Sequence, residues 1–424
     1  MLNRTIAPAF QPIPEIKIPV LEKSTLDNGM TVNVLPLHNS PIIDFTISVN
    51  AGSIVENKML VASFANRQMQ EGTALHSGLQ IADHFDFYGA TLKLNCGSDE
   101  AIIGFTGLKK HFKALLPMIQ EMILQPTFSE KELQNNVHRS KDSFRQSMQK
   151  PEYLCKRIFS NKLFGANHPY GRMVEEADYD SVSADELKSF HQQFYVPNNA
   201  LALLAGDVDD SMLKEIENLF SSKHWNSKAL QPIQFPESVI SEERKIHQSR
   251  ENAVQSSIRI GQHTINRKHA DANILRLTNT IFGGYFGSRL MMNIREDKGY
   301  TYGIHSGVSF NKLSSYHYIK TEVGSEVCDD AINEIYKEIE ILQNEKVDAD
   351  ELDKVKNYML GSYLEDLGNI FQMSSLYLSY LQQGLTLQDY YEAIETIRNA
   401  SIDDVLNCAQ KYFDKNKMVE VAVG

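Results

Sequence analysis

Residues 181–208, "SVSADELKSFHQQFYVPNNALALLAGDV", and residues 399–424, "NASIDDVLNCAQKYFDKNKMVEVAVG", share one pattern. Each has a serine with an acid three positions later, continues with apolar residues at helical spacing, breaks, and ends in an apolar run with glycine. The pattern predicts a capped helix, a turn and a buried strand. An offset of 218 pairs Leu187 with Val405, Phe194 with Tyr412 and Gly206 with Gly424. Farther out, "FSEKELQNNV" from Phe128 matches "VDADELDKVK" from Val347, and Leu133 falls opposite Leu352 at an offset of 219. An offset that holds over such a distance marks an internal repeat.

Capping-box spacing recurs at Ser129 and Glu132, Asp348 and Glu351, and Ser183 and Glu186, with a weaker version at Ser401 and Asp404. Upstream in each half, "IIDFTISVNAG" and "AVQSSIRIGQ" alternate apolar and polar residues as half-buried strands do, and helical stretches follow. The expected fold class is α+β: two similar α/β-sandwich domains, each a mainly antiparallel sheet with helices packed on one face. Prolines and scattered charges in "SSKHWNSKALQPIQFPESVISEERK" interrupt the periodicity, which sets the boundary near residue 230 and the domains at 1–230 and 231–424.

A chain of 424 residues exceeds one ordinary core. With 42% hydrophobic and 23% charged residues it reads as globular, and a formal charge of -12 argues against nucleic acid while favouring cationic ligands. The first twenty residues mix charges and prolines, so no signal peptide is expected, and no apolar run reaches membrane-spanning length. The four cysteines lie far apart without a CxxC pair, which fits a reducing compartment, and a cytoplasmic location with no membrane partner is expected.

Several segments, in order, resemble the insulinase/pitrilysin metallopeptidase family, in particular its mitochondrial-processing-peptidase-like branch. They are "TLDNGMTVNVLP", with Asn28-Gly29 as a type I′ turn signal, "DFTISVNAGSIVE", "FGANHPYGR", "FYVPNNALALLAGDV" and, most specifically, "FGGYFGSRLMMNIREDKGYTYGI". The resemblance covers nearly the whole chain. It implies an inverted zinc motif, HxxEH, on a helix ending in Gly-Thr. Here that helix reads "ASFANRQMQEGT", and alignment on Gly72-Thr73 places Ser63, Asn66 and Arg67 at the two ligand positions and the base. A hydroxyl and an amide are poor zinc ligands, and a guanidinium is a permanent cation. The third ligand position falls on Asp142, Ser143 or Phe144 in "HRSKDSFRQS". None of the 13 histidines shows HxxH or HxxxH spacing. No metal is therefore expected in this chain, and the helix is expected to pack through Ala62, Phe64, Ala65 and Met69.

The resemblance also implies an arginine and a tyrosine seven residues apart that face the zinc from a second domain. In "NIREDKGYTYG" these are Arg295 and Tyr302, with Tyr300 as a competitor of poorer spacing. A guanidinium and a phenol donate hydrogen bonds that strengthen as a peptide carbonyl becomes an oxyanion. Gly283 and Gly284, in the glycine-rich run before the pair, are assigned to substrate binding because they permit close backbone approach. The implied function is a non-catalytic subunit of a heterodimeric zinc peptidase, with Arg295 and Tyr302 acting in trans and zinc and HxxEH in a homologous partner. Its substrate would be a short or unfolded, possibly basic, peptide. Two rivals are a purely structural scaffold, similar to the core subunits of the respiratory bc1 complex, and a hydrolase using Ser288, which lacks the GxSxG context.

Overall fold

The computed structural model of the protein describes residues 15–37, 40–251 and 253–424. Six strands form the first sheet: β1 (Glu22–Thr25), β2 (Thr31–Pro36), β3 (Ile42–Val49), β4 (Thr91–Cys96), β5 (Ala101–Leu108) and β6 (Ala200–Gly206), in the order β1-β2-β6-β3-β5-β4. Five form the second: β7 (Lys245–Gln248), β8 (Gln255–Thr264), β9 (Thr301–Ser309), β10 (Ser315–Gly324) and β11 (Val419–Val423), in the order β7-β11-β8-β10-β9. Omitting β1, the two orders coincide, and each sheet is antiparallel apart from one parallel pair, β2 with β6 and β7 with β11. Two similar domains of mixed helix and sheet are thus present. Residues 226–244, between them in sequence, contain neither helix nor strand.

One face of each sheet carries that domain's own helices. Helices Val61–Gln68, Phe112–Leu124, Ala184–Phe194 and Asp210–Phe220 bury Phe64, Leu115, Leu187 and Ile216 with Phe45, Ile47 and Leu204 of the first sheet. In the second domain, Leu275, Ile339 and Val405 from three helices close over Ile258 and Ile260. Ala62, Phe64, Ala65 and Met69 are all buried, as the apolar spacing of their helix requires.

The opposite faces are covered by exchange. Helix Pro151–Phe164, from the first half, lays Cys155, Phe159 and Leu163 on Val419, Val421 and Val423 of β11. Helix Ile370–Gln382, from the second half, brings Ile370, Met373 and Tyr377 into the cluster that holds Leu35, Leu203 and Ala205 of the first sheet. The 218-residue offset carries residues 152–164 onto 370–382, so the exchange is a property of the repeat. It also explains the unbroken apolar run "ALALLAG" and the run "VEVAV", interrupted only by Glu420, which pairs with His247 and Lys245: each of these strands is buried on both sides. Gly206, at φ 129°, lies where a Cβ would stand 2.6 Å from the Ile42 carbonyl oxygen.

Two local expectations are corrected. The hairpin between β1 and β2 is closed by residues 26–30, and only Gly29 has positive φ, so Asn28-Gly29 is not a type I′ turn. Asn28 is instead a buried anchor whose amide donates to the carbonyls of Phe220 (2.6 Å) and Trp225 (2.8 Å). Capping boxes close at Ser183 and Ser401, whereas Ser129 makes no capping bond and Asp348 is bonded only by the Asp350 N–H. Glu351 is drawn away by a bidentate pair with Arg289 (2.9 and 2.8 Å), a stronger partner than a backbone N–H. Among the described residues no helix is long and apolar enough to cross a membrane.

Helix Val61–Gln68 starts under strain. Its N-cap, Leu60, sits at φ 73°, a conformation costly for a branched side chain. Glu56, with its side chain 3% exposed, accepts the N–H groups of Leu60 (3.3 Å) and Ala62 (2.9 Å) and stands 3.9 Å from Arg172. Burial pushes this carboxyl up to about 7, opposed by the Ala62 N–H and by Arg172.

Phe159→Ala, in the exchanged helix, is expected to cost about 3–5 kcal/mol and to lower the denaturant midpoint, because the side chain is fully buried between domains; an unchanged midpoint would show that the exchange contributes little. For Glu56 the folded value lies above the unfolded one, so its contribution is fully present below the ordinary carboxylate range and is lost as pH rises through about 7. Thermal melts of wild type and Glu56→Gln at pH 5 and pH 8 should show a smaller fall with pH in the variant, and equal falls would count against a shifted Glu56.

Candidate functional site

Ser63, Asn66 and Arg67 lie on one helix but do not converge on a common point as metal ligands would. The Ser63 hydroxyl donates back to the Leu60 carbonyl (3.0 Å). Asn66 is buried, and its amide nitrogen donates to the Ile102 carbonyl and to Tyr195 Oη, each at 3.2 Å. Arg67 reaches across to Ser140 Oγ on helix Glu130–Met148 (3.3 Å). On that helix Asp142 is held by Arg145 (3.3 Å) and His138 (3.5 Å), Ser143 is exposed, and Phe144 is buried against Tyr179, which also contacts Phe64. Of the three candidates for the third ligand position, only Phe144 is buried, and it brings no donor. The group that would receive zinc is a packed polar joint with a cation at its edge; these residues do not fit the metal. Among the described residues no three His, Cys, Asp or Glu side chains stand close enough to hold one.

The second half carries a different arrangement. Met291–Asp297 is a π-helical segment, a form found often where a side chain must be presented irregularly, and it precedes β9. From it Arg295 extends between two rings, its guanidinium carbon 4.4 Å from the centre of Phe286 and 5.5 Å from that of Tyr302. Its nearest carboxylate is Glu296, at 3.6 Å from Nε. No protein acceptor takes a hydrogen bond from the guanidinium or the Tyr302 hydroxyl among the described residues. Tyr302 is 93% exposed, whereas Tyr300 packs against the core, so the structure separates the two tyrosines.

Tyr302, Phe286 and Gly283 line a cavity of about 510 Å³ beside edge strand β9. Gly283 is constrained by packing: a Cβ there would lie 2.6 Å from Ser306 Cβ in β9. Gly284 is tight against Thr280 and does not line the cavity. Ser288 is 1% exposed and so is not presented to a substrate. The cavity also takes residues that spacing alone did not mark, Arg259, His305 and Lys320; they come from three strands and have no signal along the chain.

Chemically, the pair can donate hydrogen bonds to an oxygen that gains negative charge, and the two aromatic faces limit where the guanidinium points. Within the described residues it has no metal and no placed nucleophile to work with.

Comparison with known proteins matches the two halves separately. Residues 35–172 match the family described as insulinase (peptidase family M16), and residues 181–359 match the peptidase M16 inactive domain. The chain is similar to an uncharacterized zinc protease, YmxG, of Bacillus subtilis (strain 168), 23% identical over 355 residues that cover 82% of this chain and 85% of the relative. It is also similar to the non-peptidase homolog YmxG of Helicobacter pylori, 21% identical over 371 residues, 86% of this chain and 84% of that one. A crystal structure of a peptidase M16 inactive domain from Pseudomonas fluorescens shares the fold with a TM-score of 0.86 at 22% identity, over 95% of this chain and 98% of that one. The two models of one family follow one another along most of the sequence, and the chain belongs to the insulinase family of peptidases, M16, in a form without the catalytic motif.

Proposed function

We propose that the protein is the non-catalytic member of a heterodimeric zinc peptidase. In this reading it supplies Arg295 and Tyr302 in trans to a homologous partner chain that carries HxxEH and the zinc. The observation that carries it is the Arg295 guanidinium set between Phe286 and Tyr302, with only its chain neighbour Glu296 as an ion partner among the described residues, beside a hydroxyl that is almost wholly exposed. A scaffold has no use for two donors set side by side at a cavity with no hydrogen-bond acceptor from the described residues. Exposed Phe286 and Tyr302 with neighbouring Met292 form an apolar patch of the kind that protein contacts cover. The substrate is a short or unfolded peptide, added as a strand to the partner's sheet and bound through its backbone. As its carbonyl carbon is attacked, negative charge develops on the oxygen and the two donors bind it more strongly than in the ground state.

By itself the chain should hold no stoichiometric zinc, and elemental analysis of the purified protein checks this; one tightly bound zinc per chain would overturn the reading. Mixed with its HxxEH partner it should give zinc-dependent cleavage. Arg295→Ala or Tyr302→Phe should lower kcat about tenfold to a thousandfold with assembly unchanged. Full activity of the double variant at wild-type affinity between chains would leave only the scaffold role.

A further inference from the structure

The floor of the cavity beside Tyr302 is a row of basic side chains. Lys320 on β10 is paired in register with Arg259 on β8 and with His305 on β9, so the three stand side by side on one face of the sheet. All three line the cavity. Arg259 is only 7% exposed, with its guanidinium carbon 5.9 Å from the ring centre of Phe159 and 5.4 Å from that of Tyr318. Among the described residues neither Arg259 nor Lys320 has a carboxylate within ion-pair distance or a hydrogen-bond acceptor. Glu152 and Glu322 line the same cavity, but both are exposed and neither forms an ion pair.

Such a row is unfavourable in an empty site. Like charges directly opposite on neighbouring strands repel, and a buried guanidinium without an acceptor loses hydration with nothing in return. An anion seated between Arg259 and Lys320 would relieve both costs. The guanidinium offers a planar fork suited to a carboxylate, and the ammonium adds a point charge from the next strand. The His305 ring is held below its ordinary value by burial and by Lys320; with an anion present it would gain a proton more readily and add a third donor.

We infer that Arg259, Lys320 and His305 form a carboxylate subsite, which takes an acidic side chain or the free C-terminus of the peptide presented to Arg295 and Tyr302. The inference deepens the reading of this cavity as a peptide site. The overall charge of -12 draws basic peptides at long range. On the cavity floor Arg259 and Lys320 have the opposite sign, and an anion seated between them meets these charges at contact distance, while Glu152 and Glu322 are exposed to screening solvent. A substrate with an acidic residue in a basic surrounding satisfies both.

The test uses the purified full chain and three peptides of one sequence: an N-acetylated, C-amidated form with a central glutamate, its glutamine counterpart, and the glutamine form with a free C-terminus. Calorimetry should show the glutamate peptide or the free-carboxylate peptide binding about tenfold or more tightly than the neutral one, and which of them does so identifies the source of the carboxylate. Lys320→Gln and Arg259→Gln should each remove most of that preference while leaving the neutral peptide's affinity within about twofold. Relief of the like-charge contact should leave the melting temperature of Lys320→Gln at or above that of wild type, which guards against misfolding of the more buried Arg259→Gln. Equal binding of charged and neutral peptides, absence of binding by all three, or a preference that survives in both folded variants would each overturn the subsite. The Arg295→Ala, Tyr302→Phe double variant should keep the carboxylate preference, since neither residue belongs to the row. If it does so and yet supports full activity with the partner, the trans-donor reading fails and the subsite stands.

Discussion

Each domain lends the other one helix. Sheets that keep only their own helices leave one face bare, and here that face is apolar on the strands that close each repeat: Leu203 and Ala205 in β6, Val419, Val421 and Val423 in β11. Burial of these faces is worth roughly 25 cal/mol per Å², and it is available only when both halves fold together. Helices Pro151–Phe164 and Ile370–Gln382 therefore join two homologous domains into one cooperative body. Polar contacts then fix the register, including Gln382 to Ser48 Oγ at 2.9 Å and the backbone N–H of Lys312 to Asp99 at 3.0 Å.

The exchange also shapes the second domain's open surface. Helix Pro151–Phe164 covers β11 and β8, where Phe159 meets Arg259, and its Phe159 and Phe164 rings reach Tyr316 at the start of β10. What remains is the cavity, walled by the start of that helix at Glu152, floored by the strands and opened toward Tyr302. The hairpin between β9 and β10 is tied to the first domain where Asp99 and Tyr170 accept the N–H groups of Lys312 and Leu313. Strand β9 is thus held along its length by β10 and, at its far end from Tyr302, by the first domain.

In the first domain the same scaffold shows how a metal site can be abandoned without loss of fold. Ser63, Asn66 and Arg67, which the family resemblance sets at two ligand positions and the base, each have a protein partner. Asn66 bridges β5 to Tyr195, so a group that would have faced zinc now joins the sheet to the segment after helix Ala184–Phe194. On the neighbouring helix Phe144 sets a buried ring against Tyr179, which also meets Phe64.

Much of this was legible along the chain, because it depends on local order. The repeat follows from helix and strand periods and from cap spacing, which are properties of a few neighbouring residues, and the loss of zinc chemistry follows from residue types alone. The pair at Arg295 and Tyr302 was marked by the family resemblance, and only the fold sets the guanidinium 5.5 Å from the ring of Tyr302. The roles of Asn28, Glu351 and Phe144 were not legible. Each was settled by a partner far away in sequence: Trp225, Arg289 and Tyr179. The basic row lay still further out of reach, because Arg259, His305 and Lys320 become neighbours only through strand register. Sequence by itself determined the repeated mixture of helix and strand and the lack of the HxxEH residue types; tertiary packing alone decided which polar groups would be satisfied within the chain and which would be left open at the cavity, since burial without a partner is a property of surroundings and not of residue type.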